Sequence, residues 1–152
     1  MTRLSRRIAL AAALVALFGL ADSVYLTVKH LQGSFIRCGD ECSAVLGSRY
    51  AEGIAGVPLA GFGALAYCIA ILATTAAAFG SRLGRRIFTV MAVLMAAFSA
   101  WLIYLQAFVI HSFCKYCLAS AAACFTLVGL VVFDRFMASR KTEIAVARSE
   151  SL

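Results

Sequence analysis

Six cysteines punctuate the chain, and four of them come in two pairs: Cys38-Gly-Asp-Glu-Cys42 and Cys114-Lys-Tyr-Cys117. Residues three apart share one face of a helix, so the sulfurs of Cys114 and Cys117 can meet each other and a common reactant. That is the requirement for thiol–disulfide exchange, in which a thiolate attacks one sulfur of a disulfide and displaces the other. The second pair opens an apolar run that continues to Met137. A thiol at the start of a helix feels the positive end of the helix dipole, which favours the thiolate, and Lys115 adds a second positive charge. Asp40 and Glu41 lie between the loop cysteines and disfavour thiolate there. The thiol of lower pKa is the better leaving group and makes the more oxidising disulfide. Electrons are therefore expected to run from Cys38 and Cys42 to Cys114 and Cys117.

Two other chemistries fit four cysteines. A zinc site has the right ligand count, but an external compartment favours disulfides over metal ligation. Two structural disulfides are also possible, yet a Cys-x-x-Cys bridge closes too short a loop to constrain much chain. The remaining cysteines, Cys68 and Cys124, fall within apolar segments and read as small packing residues.

The elements that must hold these sulfurs are apolar. Hydrophobic residues make up 63% of the 152 residues, and 14% are charged. Four segments stand out, at 8–28, 59–79, 87–110 and 115–137, each of 21 to 24 residues. About 20 residues of helix cross a hydrocarbon core. The expected fold is all-α, a four-transmembrane-helix bundle over residues 1–137, with a polar, disordered tail at 138–152. A basic start and a 14-residue apolar stretch would also suit a signal peptide, but apolar character resumes through Val24 and Val28 and completes a span.

The net charge of +7 reads as topology. Ten of the 14 basic residues, among them Arg3, Arg6, Arg7, Arg82, Arg85, Arg86 and Arg135, fall on one side of four alternating spans. Basic residues near spans mark the cytoplasmic side. Both termini are thus expected in the cytoplasm, with all four paired cysteines outside it. No basic face on a folded domain suggests nucleic acid as a partner. No haem or flavin motif is visible, and the acceptor that a membrane offers a dithiol is a lipid quinone.

Asp22 interrupts the first span, and an intramembrane carboxylate is a functional candidate by default; an interfacial Asp partnered by Ser23, Tyr25 or Lys29 is the plainer reading. The outer connection, 29–57, is long enough to be functional, with a short helical turn expected at 43–46. Pro58 suits the start of the second span. Residues 80–86 read as a hairpin turn. Trp101, Tyr104 and Phe108 read as interfacial anchors, while Gln106 is an amide that needs a partner if buried.

Taken together, Asp22-Ser-Val-Tyr-Leu-Thr27, the loop cysteines followed by Ser48, Gly56-Val-Pro-Leu-Ala-Gly61, and Tyr104-Leu-Gln106 with Cys114-Lys-Tyr-Cys117 resemble the vitamin K epoxide reductase family. The resemblance covers residues 8–137. It implies a membrane bundle around a quinone (ubiquinone, menaquinone or phylloquinone), capped by the outer loop, with no metal. It further implies that Cys117 reacts with the quinone, that Cys114 exchanges with Cys42, and that Cys38 takes electrons from a partner. Ser48 matches the position that hydrogen-bonds a quinone oxygen, and Phe62, Tyr67 and Gln106 are expected pocket lining. Many bacterial relatives carry a fused thioredoxin-like domain. The short tail here is no such domain, so the implied partner is a separate secreted thioredoxin-fold protein. The implied activity is disulfide formation coupled to quinone reduction in the cytoplasmic membrane. Reduction of vitamin K epoxide or quinone itself would use the same sulfurs. A non-enzymatic scaffold with structural bridges is the alternative outside enzymology.

Overall fold

The computed structural model describes residues 6–32, 40–48, 50–51, 53 and 57–150; within these, the side chains of residues 6, 40–42, 141–142, 145–147 and 149–150 lie outside the description. Five α-helices follow in order: α1 (Arg6–Leu31), α2 (Asp40–Leu46), α3 (Leu59–Ala78), α4 (Arg82–Leu105) and α5 (Lys115–Glu150). A π-helical segment, Gln106–Ile110, continues α4. Four stretches are long and apolar enough to cross a membrane: Arg7–Leu31, Leu59–Ala78, Arg82–Ile110 and Lys115–Arg140. The expected all-α membrane bundle is the fold observed.

Alanine packs its interior. Ala9, Ala12 and Ala16 of α1, Ala70, Ala73 and Ala77 of α3, and Ala92 and Ala96 of α4 are all buried. They recur every three or four residues and so form one stripe per helix. Lipid tails are as apolar as leucine, so helices in a bilayer gain from close backbone approach rather than from hiding large side chains. The large ones accordingly face out: Leu14, Leu72 and Phe79 are 68%, 71% and 85% exposed. A soluble core has the opposite arrangement. α1 packs against α3 and α5, and α4 packs against the same two, closing a ring of four. Phe88, Leu127 and Tyr67 fill the space between the alanine stripes. The Tyr67 ring lies directly on the backbone of Gly19, where a Cβ would overlap its Cζ.

Three expectations are corrected. The turn expected at 80–86 is shorter. Gly80 takes φ 93°, a value that favours glycine. The Ser81 hydroxyl then accepts the Gly84 N–H at 3.1 Å as an N-cap, so α4 starts at Arg82 and carries the arginines in its first turns. The tail expected to be disordered is helical: α5 runs on to Glu150. Residues 138–150 are polar but contain no glycine or proline, and Ala, Arg, Lys and Glu are good helix formers. Polarity there marked the end of the membrane rather than the end of the helix. Finally, Cys68 is exposed on the outside of α3, so it is no packing residue.

The connection between α1 and α3 contains α2, one turn longer at its start than expected. Its end is tied off at Gly47 and Ser48, whose N–H groups reach the carbonyls of Ser43 (2.8 Å) and Val45 (3.3 Å). The Leu59 N–H donates to the Ala51 carbonyl at 3.1 Å, which fastens this connection to the start of α3. Cys38 lies outside the described residues.

Candidate functional site

Cys114 is the N-cap of α5. Its carbonyl accepts the Leu118 N–H at 3.0 Å, and its Sγ accepts the Cys117 N–H at 3.5 Å. A sulfur in that position takes the place of a Ser or Asp oxygen and meets the unpaired N–H groups of the first turn. The consequence is electrostatic. The Cys117 thiol hydrogen-bonds to the Cys114 sulfur and draws its pKa down from 9.0 to about 7; burial opposes this, and the N–H groups of Cys117 and Tyr116 assist. The pull expected from Lys115 is thus supplied at closer range by Cys117 and the backbone. Both cysteines are free thiols here.

What delivers Cys114 to that position is the end of α4. The widened π turn leaves the Gln106 carbonyl to accept from both His111 and Ser112, the latter at 3.2 Å. His111 itself is left-handed, at φ 54° and ψ 32°. That is an uncommon state for a residue with a side chain, and π turns of this kind gather at functional sites. The reversal brings Cys114 back over Gln106, whose Oε1 accepts the Cys114 N–H at 2.9 Å.

Beside the pair lies a cavity of about 560 Å³, within the usual range for small-molecule sites. Its walls come from the C-terminal half of α1 (Ser23, Leu26), the first half of α3 (Leu59, Phe62, Tyr67), the second half of α4 (Met95, Phe98, Leu102) and the start of α5. Ser48, Phe62, Tyr67 and Gln106, the four residues expected to line a pocket, all line it, and so does Cys117. Cys114 does not. It is fully buried and packs against Val45 of α2, with Tyr116 and Cys117 around it. Cys42 stands one turn before Val45 on α2; its side chain lies outside the described residues.

The polar groups of the wall are partly committed. Tyr67 donates its hydroxyl hydrogen to the Ser120 carbonyl at 2.9 Å, with the Cys124 Sγ at 3.1 Å. Ser48 donates its own to the Val45 carbonyl at 2.7 Å. The Oε1 of Gln106 is engaged, which leaves the donors of its amide nitrogen for the cavity. Sequence reasoning missed Cys124 as part of this wall. It is buried as expected, but it touches a phenol and lines the cavity. The signal was present: Cys117, Ala121 and Cys124 recur at helical spacing on one face of α5. Among the described residues no cluster of His, Cys, Asp and Glu could hold a metal ion.

A membrane bundle whose dithiol borders an apolar cavity, with one sulfur on the cavity wall and the other against a loop helix, defines a class: membrane oxidoreductases that move electrons between thiols and a lipid-soluble acceptor. The model of the vitamin K epoxide reductase family matches residues 10–132, and the chain belongs to that family. No curated protein matches the chain. Membership makes it, in general terms, a quinone-linked thiol oxidoreductase and a multi-pass membrane protein.

Proposed function

We propose that the protein forms disulfides for exported proteins and passes their electrons to a lipid quinone, acting in the cytoplasmic membrane with its cysteines on the outer side. One observation carries this reading. The two sulfurs of the helix pair face different surroundings: Cys117 borders the cavity, whereas Cys114 is packed against the helix that carries Cys42. A centre built this way can take electrons on one side and give them up on the other. The basic residues collected near Arg82 and beyond Arg135 support a cytoplasmic position for that end of the bundle.

In the proposed relay, a thiolate of a reduced thioredoxin-fold partner attacks a Cys38–Cys42 disulfide. The partner's second thiol closes its own disulfide and leaves the loop pair reduced. Cys42 then attacks the Cys114 sulfur of a Cys114–Cys117 disulfide and displaces the Cys117 thiolate. Cys38 resolves the Cys42–Cys114 bond, so both helix cysteines end reduced. Two electrons and two protons go from the helix pair to the quinone, which leaves as hydroquinone, and the Cys114–Cys117 bond re-forms. The cavity fits such a group in size and in the apolar character of its walls, and a quinone supplies a two-electron acceptor there. Phe62 and Tyr67 shape the wall, Ser48 borders it, and the Gln106 amide nitrogen offers donors to a carbonyl oxygen.

The test is oxidation of a reduced thioredoxin-fold protein by the purified enzyme with ubiquinone and menaquinone analogues. Quinone-dependent oxidation that vanishes in Cys114→Ala and Cys117→Ala is expected. Equal oxidation without quinone, or with both cysteines replaced, would refute the relay.

A further inference from the structure

Asp22 is the one acidic residue of α1, nine residues or about 14 Å of helix from the end at Leu31. A carboxylate at such depth in a span is expensive and faces the bundle interior. Its Oδ2 is buried and has no hydrogen-bond partner among the described residues. Native proteins leave few buried polar atoms in that state.

Its surroundings lead to the cysteine pair. Tyr25, one turn outward on the same face of α1, holds its ring 5.5 Å from that of Tyr116. Tyr116 in turn belongs to the cluster packed around Cys114. The neighbouring Ser23 lines the cavity, whereas Asp22 does not. The titratable groups close enough to feel its charge are Tyr67 of α3, Cys114 at the cap of α5, and Tyr116 and Cys117 in the first turn of α5; Tyr25 and Lys29 follow it on its own helix. Its charge opposes ionisation of the Cys114 thiol, against the stronger pull of Cys117 and the helix start.

We propose that Asp22 is a positioning residue for the cysteine pair: its negative charge, near Cys114 and Cys117, makes their dithiol the stronger electron donor and drives electrons on toward the cavity. The inference rests on the relay reading for its direction. Its physical basis is general. A helix start that stabilises a thiolate also stabilises the reduced pair, which then holds its electrons. A fixed carboxylate nearby destabilises that thiolate and leaves the neutral disulfide unaffected. The pair therefore closes its S–S bond more readily, releasing two electrons and two protons to the quinone, with no net change at Asp22.

The experiment needs neither partner nor quinone. Full-length protein with Cys38→Ala and Cys42→Ala is equilibrated in glutathione buffers, and the oxidised Cys114–Cys117 fraction is counted by mass spectrometry. Asp22→Asn should shift the dithiol-to-disulfide ratio roughly tenfold toward dithiol. It should also lower the pH midpoint of Cys114 alkylation by roughly one unit. Asp22→Glu, which keeps the charge, should retain the parental values. Should Asp22→Asn fail to accumulate, Asp22→Ser also removes the charge and takes its place. Equal midpoints in the charged and uncharged variants, or a shift toward disulfide, would overturn the proposal. The midpoint shift in a protein whose parent, with all its cysteines, shows no quinone-linked oxidation would count against the relay alone.

Discussion

The side-chain oxygen of Gln106 accepts the backbone N–H of Cys114 at 2.9 Å, eight residues further along the chain. Gln106 is 2% exposed, so the bond is made away from water. It joins the π turn at the end of α4 to the cap of α5 and fixes where the first sulfur of the pair sits. Gln106→Leu removes the acceptor and leaves a buried N–H unpaired, which costs about 1–3 kcal/mol. The expected outcome is a lower thermal midpoint in detergent together with slower quinone-linked thiol oxidation. Gln106→Glu keeps an acceptor and should recover most of the midpoint. A Leu variant as stable as the parent would show that this bond does not hold the site.

A pH profile tests the asymmetry of the pair. The Cys114 thiol is drawn from 9.0 to about 7, first by the Cys117 thiol and then by backbone N–H groups working against burial. Below that value Cys114 is protonated and unreactive; above it the thiolate is present. Alkylation of Cys114 in the reduced protein should therefore rise about tenfold per pH unit up to about 7 and then level off. Cys117→Ala removes the largest cause, so its midpoint should move up toward the ordinary thiol value. Rates measured by peptide mapping from about pH 5 to about pH 10 give the answer. A Cys114 midpoint that stays put without Cys117 would sink this account.

Some of the site was legible in the chain and some was not, for physical reasons. The spans follow from apolar length, and Cys114 and Cys117 declare themselves by spacing. Gln106 was marked by being an amide in an apolar run, although its partner, a backbone N–H reached through a π turn, has no sequence signature. Tyr67 is harder still. Its hydroxyl meets Ser120 across 53 residues of chain, and pairings between distant helices are decided by packing. The start of α4 is obscured because its arginines suggest a turn where the cap Ser81 starts a helix. The continuation of α5 to Glu150 is hidden by polarity, which suggests disorder although the backbone propensity of these residues favours helix. Asp22 is legible as a costly charge in a span, but its orphaned oxygen and its interaction with the pair required the fold.

Tyr67 supplies the next test, through the glycine beneath it. A Cβ at Gly19 would overlap the Tyr67 ring, and Tyr67 is 1% exposed, with only the cavity it lines to move into. Gly19→Ala should displace the ring, strain the α1–α3 contact and cost about 1–3 kcal/mol as overpacking does. It should also break the hydroxyl bond to Ser120 and narrow the cavity. Tyr67→Phe loses only the hydroxyl's contacts with Ser120 and Cys124 and should cost about 0.5–1.5 kcal/mol. Thermal unfolding of the two variants separates the effects, and a Gly19→Ala protein no less stable than Tyr67→Phe would contradict the packing described.

Ser48 offers the last prediction, because its single hydroxyl hydrogen is already in use. It is donated to the Val45 carbonyl at 2.7 Å, at the end of the helix that packs Val45 against Cys114. To donate to a quinone oxygen the hydroxyl would have to leave that carbonyl, so the net gain in hydrogen bonds is nil. Ser48→Ala should therefore change the quinone KM by less than about twofold, since one exchanged hydrogen bond is worth little. It should instead lower kcat for oxidation of the protein partner, because α2 loses the bond that secures its end beside Cys114. Ser48→Thr keeps a hydroxyl and should restore the rate. A large rise in quinone KM with kcat unchanged would place Ser48 in the service of the quinone rather than of α2.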